Sequence, residues 1–288
     1  MQLTRASAKS GIASGYSNPV ASFAAGLPRR LLGLVIPALT LVAWQVTAMY
    51  ATIGHAFLPS PAEVLTGWYM WAFGPQSSIN WTSGTFFWFC FLSIRRVLLG
   101  FLIGSSIGLV VGIVVGWYRL ASELLDPMIQ ATRPIPMTAW LPFATLVFGV
   151  QEPAAIFLIA MGCFFPVALN AASGASQTPR LLVRAALMLG THPHRILLKV
   201  VIPSAMPAIV TGVRLALGVA WVLVIVAEIL AVRGGLGYAI WGAYQFVRMD
   251  LIIAAILTLA VLGWSSDRLL VALADRLLAW QSGLVGQQ

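Results

Sequence analysis

The sequence predicts an all-α integral membrane protein with six transmembrane helices and both termini in the cytoplasm. Three observations lead there: charge is scarce, six long apolar stretches recur, and Lys and Arg gather on one side of them. Of 288 residues, 9% are charged and 60% hydrophobic, and the mean hydropathy is +0.92. Soluble domains carry about 25% charged and about 45–50% apolar residues. A chain this poor in polar side chains cannot coat a soluble globule. That excludes a soluble enzyme, a disordered chain and a nucleic-acid binder. The net charge of +9 is what cytoplasmic loops rich in Lys and Arg leave on a membrane protein.

Residues 1–30 read as a polar cytoplasmic tail ending in Arg29 and Arg30. Leu31 to Tyr50 is the first span: at ~1.5 Å per residue it crosses a ~30 Å hydrocarbon core. Leu58-Pro59-Ser60-Pro61 is a turn, and Ala62 to Phe73 a short amphipathic helix. Trp68, Trp71 and Trp81 suit a membrane–water interface, where aromatic rings collect. The second span runs from Phe86 to Tyr118, interrupted only by Arg95 and Arg96. The third runs from Pro134 to Val150 and the fourth from Ala154 to Ala172. Residues 173–201 form a polar cytoplasmic loop. The fifth span covers about Ile202 to Val232, the sixth Leu251 to about Trp264. From Ser265 onward, Asp267, Arg268, Asp275 and Arg276 alternate with leucines, as in an amphipathic surface helix. The transmembrane domain is therefore 31–280, and 281–288 a C-terminal tail. Cys90 and Cys163 lie in apolar runs and read as small buried hydrophobes.

With the N-terminus inside, segments 1–30, 118–133, 173–201 and 265–288 hold 12 of the 17 basic residues. Arg95, Arg96, Arg233 and Arg248 fall outside, with Arg95 and Arg96 the pair most easily drawn into the second helix instead. Arg214 lies within the fifth span. This bias sets the orientation.

Gly100, Gly104, Gly108, Gly112 and Gly116 recur every four residues, on one stripe of the second span. Such a stripe lets a neighbouring helix approach closely, and it is compatible with a helix that rocks against its partner. Pro134, Pro136, Pro142, Pro153, Pro166, Pro203 and Pro207 favour kinks. Arg214 and Glu228 are the ionisable groups inside a span, where charge is costly. Fourteen residues apart, they are ~21 Å from each other along the axis, too far to pair. Each is expected to meet a partner on another helix or a cavity, as an ion pair or part of a substrate path, and Arg96 joins them as a candidate. His55, His192 and His194 have no Cys or carboxylate at ligand spacing, and no Gly-Lys-Ser/Thr phosphate loop occurs. No catalytic set, metal site or cofactor site emerges.

The stretch 184–203 has helical periodicity, a break at Gly190, and a basic amphipathic segment entering a new span at Pro203. This is a cytoplasmic helix–turn–helix suited to docking a soluble partner. It resembles the signature loop of ABC importer permeases, whose pattern is Glu-Ala-Ala, three residues, Gly, nine residues, Ile, any residue, Leu, Pro. Ala185, Ala186, Gly190 and Pro203 match in register, Val200 and Ile202 are conservative replacements, and Arg184 stands where the pattern has Glu. Arg96-Val97-Leu98-Leu99-Gly100-Phe101, Arg133-Pro134-Ile135-Pro136, Trp140-Leu141-Pro142, Phe164-Phe165-Pro166, Ala227-Glu228 and Gly234-Gly235-Leu236-Gly237-Tyr238 are similar to the nitrate, sulfonate and taurine branch. The likeness covers roughly 30–280.

The resemblance implies a type I importer permease fold in the bacterial inner membrane. It implies two permease copies, as a homodimer or with a different permease, two ABC ATPase subunits carrying ATP and Mg, and a periplasmic binding protein that delivers a small solute. Arg184, Ala185, Ala186, Gly190, Thr191 and Pro203 would form the ATPase-docking loop, with Ala185, Ala186 and Gly190 in a groove of the ATPase. Proline and glycine in the spans would supply hinges. Arg95, Arg96 and Arg214 suit an anion, though relatives in the branch also carry uncharged or cationic vitamin precursors. Two other readings remain: a secondary transporter working without an ATPase, disfavoured by the lack of an evident repeat, and a membrane-embedded enzyme, disfavoured by spans nearly free of His, Asp and Glu.

Overall fold

The computed structural model describes residues 29–50, 58–75 and 82–278. The tail through residue 28, His55, Trp81 and the tail 281–288 lie outside them. Every regular element among the described residues is helical. The chain divides into two compact units, Met1–Pro61 and Ala62–Gln288.

In the first unit, α1 (Arg29–Tyr50) covers the first expected span. The indole N–H of Trp44 donates to the Pro59 carbonyl at 3.1 Å.

The second unit contains α2 (Pro61–Phe73), α3 (Phe86–Trp117), α4 (Arg119–Thr132), a 3₁₀ turn (Met137–Trp140), α5 (Leu141–Phe148), α6 (Glu152–Ser176), α7 (Arg180–Met188), α8 (Pro193–Ile196), a π turn (Leu197–Val201), α9 (Ile202–Leu230), α10 (Leu236–Gln245) and α11 (Met249–Leu277). Among the described residues, four helical stretches are long and apolar enough to cross a membrane: Phe86–Trp117, Glu152–Ser176, Pro193–Leu230 and Met249–Arg276.

Three expectations need correction, and the third span is narrowed: Pro134 to Val150 holds a shorter apolar helical stretch, Met137–Phe148, because Pro134 and Pro136 lack backbone donors and precede it and Gly149 closes it at φ +76°. The sixth span does not stop near Trp264, because α11 continues to Leu277; Asp267 is paired with Arg214, so its charge does not end the helix. Arg95 and Arg96 are in the third turn of α3, not in a loop, and Arg96 is fully buried. Trp71 is a core residue, 1% exposed, and donates to the Thr85 hydroxyl at 3.3 Å.

The core of this unit is a three-helix layer with α6 in the middle. All five glycines of the α3 stripe face α6. A Cβ on Gly108 would lie 2.6 Å from the Phe164 carbonyl oxygen, and one on Gly100 2.6 Å from Ile159. Cβ atoms on Gly104, Gly112 and Gly116 would overlap the carbonyls of Ala160, Ala168 and Ala172. Backbone thus meets backbone along more than four turns, which holds α3 and α6 as one body. On its other side α6 meets α9 through further small residues: Gly212 lies against Asn170 and Pro166, and Gly174 against Ala205 and Ala208. Without Cβ atoms at these places the helices approach closely, and dispersion contacts replace the hydrophobic drive that lipid cannot supply.

Candidate functional site

Three features of this scaffold could carry function, and all three involve α9 or lead into it. The first is the segment between α6 and α9. α7 ends in a Schellman motif: the Thr191 N–H donates to the Ala186 carbonyl at 3.0 Å and the Gly190 N–H to Leu187 at 2.9 Å. Such a cap needs a left-handed residue, and Gly190 has φ +73°. Nothing lies within 4 Å of where its Cβ would be. Glycine is therefore required here by backbone conformation and not by crowding inside the chain.

Around this turn, Arg184, Ala185 and Gly190 are exposed, and Thr191 is half-buried. Ala186 turns inward instead, beside Val183, onto the cluster of Ala175, Ile196 and Val201. Leu181 at the start of α7 is 77% exposed, and Met188 and Leu189 at its end are 87% and 85% exposed, an apolar tip. His192 and His194 are exposed. Pro203 sits in the first turn of α9, where a missing N–H costs little. Helical backbone runs from Pro193 to Leu230, so the loop is continuous with a membrane-spanning helix. The π turn in that run is a widening often found at functional positions.

The second feature is a cleft of about 820 Å³ between α9 and α11. Thr211, Arg214, Leu215, Gly218 and Val222 form an exposed stripe on α9. Arg214 donates to both oxygens of Asp267, at 2.7 and 2.8 Å, and its side chain is 55% exposed. Arg214 thus has a partner on another helix and also lines a cavity.

The third feature is a buried charge cluster at the opposite end of α9. Glu228, fully buried, accepts from Arg96 at 2.8 Å, from the Ser93 hydroxyl at 2.7 Å and from the Gly237 N–H at 2.9 Å. Arg96 also donates to the Gly234 carbonyl at 2.6 Å and to Glu152 at 2.6 Å. Ser93 in turn accepts from the Leu236 N–H at 2.9 Å. Gly234 and Gly235 have φ +87° and +114°, and a Cβ on Gly235 would collide with the Glu228 carboxylate. The Gly-Gly-Leu-Gly segment is therefore a cradle that delivers backbone groups to two buried charges. The cluster ties α3, α6, α9 and the start of α10 together. Just before α11, Arg248 forms a 2.7 Å ion pair with Asp250, and that hydrogen-bonded carboxylate holds its guanidinium pKa above the usual value.

Arg214 and Glu228 have no shared partner: one faces α11, the other α3 and α10. Sequence reasoning did not find Glu152, Ser93 or Asp267. Ser93 carried a usable signal, lying three residues before Arg96 and so on the same helix face. Glu152 and Asp267 are two of only 8 acidic residues, so each was a candidate counter-charge for an intramembrane arginine.

A family model described as "Binding-protein-dependent transport system inner membrane component" matches residues 104–279. A protein of Methanocaldococcus jannaschii assigned as an ABC transporter permease is 38% identical over 255 residues, covering 87% of this chain and 92% of that protein. The taurine transport system permease protein of Escherichia coli is 34% identical over 243 residues, covering 84% and 87%. Among solved structures, a chain of the MetNI methionine ABC transporter in an inward-facing conformation superposes with a TM-score of 0.56 at 18% identity. The match covers 68% of this chain and 99% of that one; it is a likeness of fold.

Proposed function

Because the chain belongs to the ABC importer permeases, in the branch that includes nitrate, sulfonate and taurine systems, we propose that it carries a small anion of this class across the bacterial inner membrane. The chain is the permease subunit. In this reading it has the type I fold with six spans and both termini inside, α1 and the 137–148 segment completing the count. Residues 1–30 and 281–288 are cytoplasmic tails flanking the membrane domain 31–280. Two copies form the pathway. Two ABC ATPase subunits bind ATP and Mg and hydrolyse the nucleotide, while this chain binds neither. A periplasmic binding protein presents the solute. The relatives are ABC permeases, which leaves the stand-alone secondary transporter without support.

The observation that carries the reading is the exposed, Gly190-capped helix–turn–helix running without a break into α9. A displacement at α7 acts directly on a helix that reaches the Arg96 cluster at its far end, so nucleotide-driven motion of a docked ATPase would bias the whole bundle between two states. The α9–α11 cleft supports the dimer. An Arg–Asp pair within spans is costly against lipid, and a second copy or a water-filled path would cover it.

Gly190 gives the test. Alanine there pays ~1–2 kcal/mol for the left-handed conformation, whereas asparagine tolerates that conformation but adds bulk at the docking face. Gly190→Asn is expected to keep the melting temperature of the purified permease. It should lower ATP-dependent uptake into proteoliposomes about tenfold or more, the effect of a ~1.4 kcal/mol clash. Wild-type uptake and co-purification with the ATPase in the asparagine variant would remove α7 from the interface.

A further inference from the structure

At the root of α7 lies a cleft of about 300 Å³ lined by the last turns of α3 and α6 together with Thr178, Arg180, Val183 and Arg184. Thr178 is 7% exposed, and its hydroxyl has no hydrogen-bond partner. A buried hydroxyl left unsatisfied is a cost that a ligand can relieve. Arg180 and Arg184 are four residues apart, one turn on the same helix face, where like charges repel. No Asp or Glu occurs anywhere from residue 173 to 201, and neither arginine is in an ion pair among the described residues. Two guanidinium groups and an unpartnered hydroxyl thus line one space that holds no acidic side chain. The chemistry they fit is a carboxylate, which accepts charge-assisted and bidentate hydrogen bonds from arginine.

We infer that this cleft receives an aspartate or glutamate side chain of the ATPase subunit that docks on α7, so that docking combines an acidic contact at the root of the helix with apolar contacts at its tip. The inference rests on the docking reading above and names the partner's chemistry. Leu181 is exposed next to Arg180, and Met188 and Leu189 are exposed at the far end of the same helix, so α7 offers both kinds of contact.

The test uses the purified permease and its cognate ATPase subunit in a neutral detergent without anionic lipid. Arg180→Gln/Arg184→Gln is expected to weaken binding about ten- to a hundredfold, the loss of charge-assisted hydrogen bonds, and to flatten its dependence on NaCl concentration. Thr178→Val should weaken it less. Arg184→Glu should weaken it most and be rescued by an Asp- or Glu-to-Arg exchange among the acidic residues of the ATPase face that binds α7. The arginines are exposed, so unchanged melting temperatures are expected for their variants. Unchanged or tighter binding by Arg184→Glu, with wild-type binding intact and Gly190→Asn still defective, overturns the carboxylate while leaving the docking face. An effect of the arginine variants seen only in nanodiscs containing phosphatidylglycerol overturns it in favour of a lipid headgroup. Failure of the wild-type chain to bind the ATPase sinks the docking reading itself.

Discussion

Gly112→Leu will lower the melting temperature of the purified permease by roughly 6–12 °C, or prevent its accumulation. A Cβ at this position runs into the Ala168 carbonyl and lies 2.8 Å from the Ala171 methyl. A carbonyl in a helix cannot rotate away, so the two helices must separate, and the seam from Gly100 to Gly116 opens with them. Overpacking of this kind costs ~3 kcal/mol or more, and each kcal/mol shifts Tm by about 2–4 °C in a chain of this size. Gly218→Ala is the control. Nothing lies within 4 Å of its Cβ position, so the helix propensity gain of ~1 kcal/mol is realised there. Gly112→Ala, with the same propensity gain, should destabilise. Thermal unfolding followed by size-exclusion chromatography separates the two, and equal effects at both positions would refute the seam.

Arg96→Leu has the second large effect. It strips the fully buried Glu228 of its counter-charge and leaves Glu152 without its 2.6 Å contact. Removing one partner of a buried ion pair costs about 3–5 kcal/mol. Glu228→Gln should be milder, because the amide still accepts from the Gly237 N–H and Arg96 keeps Glu152 and Gly234. Arg96→Leu/Glu228→Leu should cost less than the sum of the two leucine single variants, since neither charge is then stranded. Additive losses in the melting temperature would mean that the pair does not interact.

What could be read from the sequence followed from period and composition. The four-residue glycine register of α3 names its packing face, because a single helix repeats it. The loop 184–203 was legible because its cap, its small residues and its entry into α9 are consecutive. Partners distant in the chain were not legible. Arg96 has acceptors 56, 132 and 138 residues away, and no local pattern encodes such pairs. Trp71 looked interfacial because its residue type is; α3 packs over it with Phe86, ring centroids 5.1 Å apart. The extent of α11 was misjudged because Asp267 reads as a break in hydropathy unless Arg214 is known to stand opposite. The Pro134 to Val150 segment is apolar enough for a span, but its prolines and Gly149 divide the backbone.

The long reach of Arg96 also bears on how the protein is made. Helix α3 leaves the ribosome carrying this arginine long before Glu228 exists, 132 residues later. At ~5–20 residues per second that interval is roughly 7–26 s. Inserting an arginine near the centre of a helix costs about 2.5–3.5 kcal/mol on the translocon scale. An 18-residue window of α3 has a mean hydropathy of 2.5, long and apolar enough to span, so α3 can enter the membrane alone. It does so as an intermediate with an open valence, completed first by Glu152 and last by Glu228. Late synthesis of the fifth span therefore finishes the second, and truncation before Glu228 leaves Arg96 with one of its two acidic partners.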